Sequence, residues 1–251
     1  KIKHHMKVKI ILILLVVSVF SIYSQPKFVI GLTGGYSLPL PQLKGTIDSA
    51  NSELGESYFT KTGFNFGLNG KYALDKKGKI RIVLGGSYNK FTGEEAYSHT
   101  NDVEFHTNMV IVSASLGGEY SFTPREKTAP FVGLDITGNF FSGKTEETVT
   151  AASTTDHSSL GATTTTLRSA TRFGIAVGGG VDVQFNKSIG ALFGFKYNFA
   201  NLIGKEYLAS STAGEYNLND KENGSIKAKN IMYFQIYLGV SFYLGQMKKA
   251  K

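Results

Sequence analysis

Residues 232–244 read MYFQIYLGVSFYL, and this stretch decides the fold. Every second position carries a large apolar side chain: Met232, Phe234, Ile236, Leu238, Val240, Phe242 and Leu244. The positions between them are polar, small or hydroxylated: Tyr233, Gln235, Tyr237, Gly239, Ser241 and Tyr243. Because successive side chains of a β-strand point to opposite faces, the stretch predicts a strand with one apolar and one polar face.

The same alternation recurs seven times upstream. These segments span Phe28–Ser37, Phe64–Leu74, Ile80–Asn89, Val110–Tyr120, Val132–Phe140, Arg172–Phe185 and Ile189–Phe199. Each is about as long as the 9–11 residues that a tilted strand needs to cross a hydrocarbon layer. Their polar faces carry Gly, Ser, Asn and charged residues, which are too small and hydrophilic for the core of a soluble barrel. The pattern therefore favours an apolar face toward lipid and a polar face toward a lumen.

We accordingly predict an all-β protein, an eight-stranded antiparallel up-and-down transmembrane β-barrel. Closure of the barrel leaves no unpaired strand edge, as a lipid environment requires. The alternative fold is a soluble, lipocalin-like barrel, in which the apolar face would point inward.

The connections alternate in length, which predicts the topology. Long connections are expected after strands one, three, five and seven, at Leu38–Lys61, Thr92–Glu104, Ser142–Ala170 and Asn201–Lys229. Short ones are expected at Asp75–Gly78, Thr123–Thr128 and Asn186–Lys187. Transmembrane barrels have short periplasmic turns and long extracellular loops, so both termini should be periplasmic. The Thr-rich stretch Thr145–Thr171 could extend strands five and six as a hairpin that recruits a partner by strand addition, but a polar loop is the favoured interpretation.

The N-terminus has the pattern of an export signal. Lys7 and Lys9 precede the apolar run Ile10–Phe20, which is too short to span a bilayer, and a short polar segment follows. We predict cleavage after Ser24, so that residues 1–24 are a signal peptide and 25–251 form one barrel domain. Met6 is a candidate for the true start of translation.

Composition excludes several classes of function. The chain of 251 residues has no cysteine, which excludes disulfides, thiol chemistry and Cys-ligated zinc. Its net charge of +8 falls to +4 without the signal, because 23 of the 27 basic residues and all 19 acidic ones remain. The bases concentrate in the short turns and the tail, whereas a nucleic-acid interface would group them on one face beside stacking aromatics. We expect no nucleic-acid partner.

The parity of the strands places seven charged side chains in the lumen: Lys71, Arg81, Glu119, Asp135, Arg172, Asp182 and Lys196. An eight-stranded barrel is just wide enough for its side chains to fill, so we expect a packed polar interior and not a pore. Lys71, Arg81 and Glu119 should form one cluster near the short turns. Asp135, Arg172 and Lys196 could form a second one higher in the barrel. A structural role is favoured over a gated ion path, since buried ions must satisfy one another.

No catalytic or metal site is predicted. The predicted mature chain has three histidines, His99, His106 and His157, and none occupies a strand position beside an inward Ser or acid. The acidic loop Glu94–Glu104 lacks the spacing of a calcium loop. We expect no enzyme activity, no cofactor and no metal.

With eight strands placed, the chain resembles the small outer-membrane barrels that include the OmpA barrel domain, OmpX and the Opa adhesins. The signal, the alternating connections, the strand opening Pro130–Leu134 and the aromatic ending Tyr237–Leu244 carry the resemblance. The Ser-Gln cleavage site is similar to that of exported proteins of Bacteroidota, whose outer membrane barrel domains are of this type. The chain departs from the family by lacking tryptophan and by running six residues past the last strand.

The resemblance implies a non-enzymatic protein of the bacterial outer membrane. It would stabilise the envelope, or serve adhesion and recognition through four long extracellular loops. Its expected partners are outer-membrane lipid and lipopolysaccharide, the barrel-insertion machinery and an extracellular ligand, and it should be a monomer. A narrow porin-like channel for ions or small solutes is the alternative, and a lipid-modifying enzyme is a third.

Overall fold

The computed structural model describes residues 28–45, 57–98, 102–124, 126–151, 161–209, 212–224 and 227–244. These residues form nine strands: β1 Phe28–Pro39, β2 Thr62–Ala73, β3 Ile80–Ser98, β4 Asp102–Ser121, β5 Thr128–Ala151, β6 Gly161–Gln184, β7 Ile189–Ile203, β8 Glu215–Tyr216 and β9 Met232–Leu244. Within this part of the chain no helix is long and apolar enough to be a membrane span. The predicted signal, residues 1–24, lies outside the described residues.

Eight of these strands close into a ring. Strands β1 to β6 each pair antiparallel with the next one, β7 pairs antiparallel with β9, and β9 pairs antiparallel with β1. The register of the closing pair runs from Phe28 opposite Leu244 to Pro39 opposite Tyr233. The two-residue β8 lies outside the ring and adds parallel to Thr166 and Leu167 of β6. The ring confirms the predicted eight-stranded antiparallel up-and-down barrel.

The outer surface of the barrel is apolar. The side chains predicted to face outward are broadly exposed, among them Leu84 at 66%, Ile136 at 67% and Leu238 at 65%. Ionised and amide side chains such as Lys71, Arg81, Asp182 and Asn139 are buried inside, the reverse of a soluble barrel. This distribution contradicts the lipocalin-like alternative, because a soluble barrel would bury its large apolar side chains.

The short turns 74–79, 122–127 and 185–188 lie at one end of the barrel, which we call the turn end. In the first turn, Asp75 accepts backbone hydrogen bonds from Lys77 and Ile80 through its carboxylate. Gly78 adopts a φ of 73°, a left-handed conformation that glycine reaches without steric cost. The opposite end is the loop end.

Two connections predicted as long loops are largely strand. Beyond the pair Thr92–Asn108, β3 and β4 stay paired for six more residues, as far as Ser98 and Asp102. Strands β5 and β6 stay paired as far as Val149 and Gly161, after a bulge between Phe141 and Gly143. The loop interpretation of 92–104 and 142–170 was therefore wrong over most of its length, because polar strands keep pairing where their backbone hydrogen bonds replace those to water. The two hairpins project about 20 Å along the strands at 3.3 Å per residue.

Candidate functional site

The lumen is the candidate site, and its turn end holds a four-membered ion cluster. Lys71 Nζ lies 2.9 Å from Glu119 and 3.1 Å from Asp182. Arg81 Nη1 lies 3.0 Å from Glu119 and 2.9 Å from Asp182. All four side chains are less than a tenth exposed, and two cations face two carboxylates. The cluster is therefore electrically balanced within a low-dielectric interior.

Four different strands supply this cluster. Arg81 on β3 lies directly opposite Glu119 on β4, as their strand parity implies. Asp182 comes from β6, across the lumen, and joins the two cations into one group. The sequence placed Asp182 in the lumen without a partner, because parity fixes a face and not a contact across the barrel.

A small apolar cluster lies beside the ion cluster. Phe131, Leu192 and Tyr237 are buried together, and Lys71 Nζ lies 4.0 Å from the centre of the Phe131 ring. A cation so placed is attracted by the ring electrons and also loses contact with water. This contact helps to hold Lys71 within the ion cluster.

Further along the lumen, Lys196 Nζ donates to Asp135 at 2.5 Å. Lys196 remains 30% exposed, so this pair is less sealed than the first cluster. Arg172, which we expected beside these two residues, is not among their ion-pair partners. It lies near the loop end and pairs with Asp220 and Glu206 instead. The expectation of a second cluster was therefore wrong for Arg172.

A layer of buried amides and hydroxyls follows: Ser37, Asn65, Asn89, Ser113, Asn139, Asn198 and Gln235. Asn89 Oδ1 accepts hydrogen bonds from Ser37 Oγ at 3.1 Å and from Gln235 Nε2 at 2.6 Å. Asn139 accepts from Ser113 at 2.6 Å and donates to the carbonyl of Ala200 at 2.8 Å. Since these neutral groups satisfy one another across several strands, the layer ties the barrel wall together.

Two polar cavities lie between these layers. One of about 60 Å³ is lined by members of the amide layer with Lys196 and Tyr237. The other, of about 40 Å³, is bounded by Lys71, Glu119 and Asp135 and also reaches Lys196. Each is large enough for a few water molecules, which need roughly 10–15 Å³ of such volume apiece. The turn half of the lumen is therefore polar but narrow.

The loop half of the lumen is an apolar plug, a feature the sequence analysis missed. Its buried members are Leu43, Tyr58, Phe91, Met109, Ile111, Phe141, Leu167, Ala200, Leu218, Ile231 and Tyr233. The rings of Phe91 and Tyr233 meet edge to face at 5.2 Å. The expectation of a polar interior was thus wrong for this half. A signal was available, since Phe91, Met109 and Phe141 continue the inward parity of each strand beyond its polar positions.

Loop residues complete the plug. Leu43 and Tyr58 come from the connection after β1, and Leu218 comes from the one before β9. Tyr58 donates its hydroxyl to the carbonyl of Leu218 at 2.7 Å, which joins the two connections. Burial, more than the nearby Asp220 charge, raises the pKa of Tyr58 well above 10, so the hydroxyl stays protonated as a donor.

Arg172 fastens the connection between β7 and β9 to the barrel wall. Its Nε and Nη2 each lie 3.0 Å from a carboxylate oxygen of Asp220, which is fully buried. Asn201 donates to the same carboxylate at 2.8 Å and also accepts from the backbone of Ile231. This group, which we call the latch, consists of Arg172, Asn201 and Asp220. It holds residues 218–224 and 227–231 in the mouth of the barrel.

Lys229 is buried beside the latch. Its Nζ lies 4.5 Å from the centre of the Tyr58 ring. Burial lowers the pKa of Lys229 from 10.5 to about 8, and the Asp220 charge opposes this only in part. The mouth therefore contains an amine that loses its proton more easily than an exposed lysine.

The site has the composition of a seal. Among the described residues, no three His, Asp or Glu side chains are grouped as metal ligands. Of the histidines, only His106 is described, and it lies on β4 opposite Glu94 and Glu146, outside the lumen layers. His99 and His157 lie outside the described residues. The arrangement can exclude water and ions from the loop half and can hold the barrel closed.

Comparison with known proteins adds likenesses of fold. No family model matches the chain, and no curated protein matches it in sequence. Among solved structures, Neisserial surface protein A is 14% identical over 86% of this chain and 97% of its own, with a TM-score of 0.46. The outer membrane protein OprG from Pseudomonas aeruginosa is 12% identical over 90% and 99%, with a TM-score of 0.45. Ail, the attachment invasion locus protein of Yersinia pestis, is 11% identical over 86% and 96%, with a TM-score of 0.38.

These values are low, and the barrel assignment rests on the strand register of the chain itself.

Proposed function

We propose that the chain is an integral, non-enzymatic protein of the bacterial outer membrane, a sealed barrel that presents its loop end to the exterior. The observation that carries the proposal is the reversed distribution of polarity. Large apolar side chains, such as Phe66 at 61% and Phe193 at 50% exposure, cover the outside, while ionised residues are buried inside. Only a barrel surrounded by hydrocarbon makes this distribution favourable.

The dimensions of the apolar surface support the same conclusion. On β3 the exposed apolar side chains run from Ile80 to Tyr88, and on β5 from Val132 to Phe140. Nine residues at 3.3 Å, tilted as in barrels, extend over roughly the 25 Å of the apolar band of transmembrane barrels. In this arrangement the turn end and both termini face the periplasm.

The lumen favours a seal over the alternative of a narrow channel. An ion entering from the turn end would have to displace the balanced cluster of Lys71, Arg81, Glu119 and Asp182. It would then meet the apolar plug, in which Phe91, Met109 and Ile111 are fully buried. Passage of a charge through packed apolar side chains carries a large desolvation penalty. We therefore expect no steady conductance.

The projecting hairpins β3–β4 and β5–β6 are the natural carriers of surface recognition. Both rise beyond the apolar surface and expose polar side chains, including Glu94, Glu147 and Thr163. Recognition of an extracellular ligand, contact with lipopolysaccharide and insertion by the barrel machinery are parts of this proposal.

Insertion and conductance test the proposal together. The refolded protein should migrate differently before and after boiling on a gel and should enter lipid vesicles. In planar bilayers it should give no steady current. A protein that is soluble without detergent, or that forms regular open channels, would contradict the proposal.

A register-preserving deletion tests the recognition part. Replacing residues 146–164 by a two-residue Asn-Gly turn keeps Thr145 opposite Thr165 as the last pair of the hairpin. The shortened protein should still insert into vesicles, and cells that carry it should lose adherence to the host or matrix surface that wild-type cells bind. Unchanged adherence would remove the hairpin from the proposal.

A further inference from the structure

A depression of about 200 Å³ lies on the outside of the barrel, where β6 meets the connection between β7 and β9. Arg168, Glu206, Leu208 and Asn219 are among the residues that line it. It lies beside the β5–β6 bulge, where the register shifts between Phe141 and Gly143. Leu167 is buried in the plug and Ala170 packs against it, so Arg168 and Ser169 between them are exposed on the outer side.

The far wall of the depression is fixed by hydrogen bonds. Leu208 donates its backbone N–H to Asn219 Oδ1 at 2.9 Å, and Lys221 donates to the carbonyl of Glu206 at 3.3 Å. Glu206 donates its own N–H to Asp220 at 3.1 Å. Because Asp220 belongs to the latch, this wall is anchored inside the barrel, and the depression is a built feature of the fold.

The depression is lined by one cation, Arg168, and one acid, Glu206. Across the described part of the chain, no carboxylate lies within 4.0 Å of the Arg168 guanidinium, and no hydrogen bond to it is formed. The one acid in the lining, Glu206, is paired with Arg172 of the latch, at 3.2 Å from its Nη2, and not with Arg168. Among the described residues, Arg168 is thus a cation without an ion-pair partner, and it lies in a preformed hollow.

The height of Arg168 places it at the edge of the apolar surface. Phe140 is the exposed apolar residue of β5 nearest the loop end, and it lies opposite Thr171 of β6. Arg168 lies three residues before Thr171, farther toward the loop end. That separation is about 10 Å along the strand, or less in height because barrel strands are tilted. It matches the headgroup layer, which adds about 5–8 Å on each side of the hydrocarbon.

Apolar side chains border the depression on its membrane side. Leu208 lines it and is 39% exposed. Ile203 of β7, which is 68% exposed, lies opposite Phe173, five residues from Arg168 along β6. An unpaired guanidinium above an exposed apolar rim matches a ligand with a phosphate on one side and acyl chains on the other. Arginine is suited to phosphate because its planar donors bind two oxygens at once.

We propose that this depression binds the phosphate-bearing headgroup of an anionic outer-leaflet lipid, with Arg168 on the phosphate and Leu208 and Ile203 against the start of the acyl chains. This site rests on the proposed membrane location and adds a lipid-specific contact to it.

Native mass spectrometry in a neutral detergent tests the site with phosphatidylglycerol and phosphatidylcholine as probes. Wild-type protein should retain phosphatidylglycerol in preference to phosphatidylcholine. Arg168→Gln should weaken retention of phosphatidylglycerol about fivefold, as expected for one cation at an anionic lipid surface, and leave phosphatidylcholine unchanged. The matched control is Lys221→Gln. Lys221 is an exposed cation in the connection between β7 and β9, and its residue does not line the depression.

Two results would overturn the assignment. Equal retention of phosphatidylglycerol by wild type and Arg168→Gln would show that Arg168 does not bind the headgroup. Displacement of phosphatidylglycerol by an equal concentration of inorganic phosphate would assign the hollow to a free anion. Failure of the wild type to insert into vesicles would be a different failure, that of the proposed function, and the gel shift on boiling shows for each variant that the barrel is folded.

Discussion

Arg172 on β6 and Asp220, 48 residues later in the chain, form a doubly hydrogen-bonded ion pair inside the mouth of the barrel. Arg172 is 2% exposed and Asp220 is fully buried. The pair joins the connection before β9 to the barrel wall. Removing one partner of a buried pair strands the other charge, so this contact makes a sharp stability prediction.

Asp220→Asn should destabilise the protein by about 3–5 kcal/mol, because the amide keeps the shape of the carboxylate but leaves the buried Arg172 charge with only the half-exposed Glu206 as a partner. Urea titration in detergent followed by the gel shift measures the loss. Trypsin should also cut faster at Lys221 and Lys227. The control is Glu206→Gln, which removes a half-exposed partner of the same arginine and should cost at most about 1 kcal/mol. Equal losses in the two variants would contradict the latch.

Asp182→Asn tests the cluster at the turn end. Asp182 serves both Lys71 and Arg81, so its neutralisation leaves two buried cations with one carboxylate. We expect a loss of about 3–5 kcal/mol in the free energy of unfolding. Asp135→Asn breaks the pair with the more exposed Lys196 and should cost clearly less, since water can solvate that ammonium. Asp182→Asn should therefore unfold at a lower urea concentration than Asp135→Asn. The reverse order would contradict the charge balance proposed for the cluster of Lys71, Arg81, Glu119 and Asp182.

Two adjacent glycines give a matched test of the narrow lumen. A Cβ atom on Gly117 would collide with the Leu134 carbonyl and the Asp135 carboxylate, whereas the nearest atom to one on Gly118 is 4.0 Å away. Gly117→Ala should therefore lower the free energy of unfolding by about 1–3 kcal/mol through overpacking. Gly118→Ala should stay within about 0.5 kcal/mol of wild type. Similar urea midpoints for the two variants would show that the lumen has room to spare.

The lowered pKa of Lys229 predicts that the free energy of unfolding depends on pH. Its pKa falls from 10.5 in the unfolded chain to about 8 in the folded protein. Between these values the unfolded state binds more protons than the native state, so stability should rise with pH from 8 to 10.5. Below pH 8 both states are charged, and the burial penalty applies in full.

Lys229→Met removes this dependence and should raise stability at pH 7 by about 2 kcal/mol. The difference between wild type and variant should shrink as pH rises, because wild-type Lys229 becomes neutral. Urea midpoints measured across the range test this, with Lys221→Met, an exposed lysine, as control. Taking the difference also cancels the opposite effect of Tyr58, whose raised pKa disfavours the folded state above pH 10 in both proteins. A constant difference across the range would contradict the prediction.

The apolar plug predicts the effect of truncating Phe91, which is fully buried. Phe91→Ala should cost about 3–5 kcal/mol, the usual loss for a buried aromatic. It should also allow brief conductance events in planar bilayers, because the cavity lies on the axis of the seal. Phe66→Ala removes an exposed ring from the outside of the same barrel, and its unfolding and conductance should resemble those of wild type. Conductance from both variants, or from neither, would place the seal elsewhere.

Much of the fold could be predicted because strand periodicity is local. The stretch 232–244 alternates over its whole length, and the same period identified eight strands, their order and the face each turns outward. Parity also placed Arg81 and Glu119 on the same inner surface, and they lie opposite each other in the register. The lengths of the projecting hairpins were not predictable in this way, since β3 and β4 continue pairing through polar residues without an apolar face.

Alternation along each strand was enough to predict which side chains face the lumen, because side-chain direction in a strand has a period of two residues. Only the tertiary structure decided their partners. Asp182 meets Lys71 and Arg81 because strands distant in sequence face one another across the closed barrel. Arg172 meets Asp220, and not Asp135, because a connection folds back into the mouth and buries Leu218 against apolar residues. A contact across a lumen depends on ring closure and loop packing, and neither leaves a periodic signal in the chain.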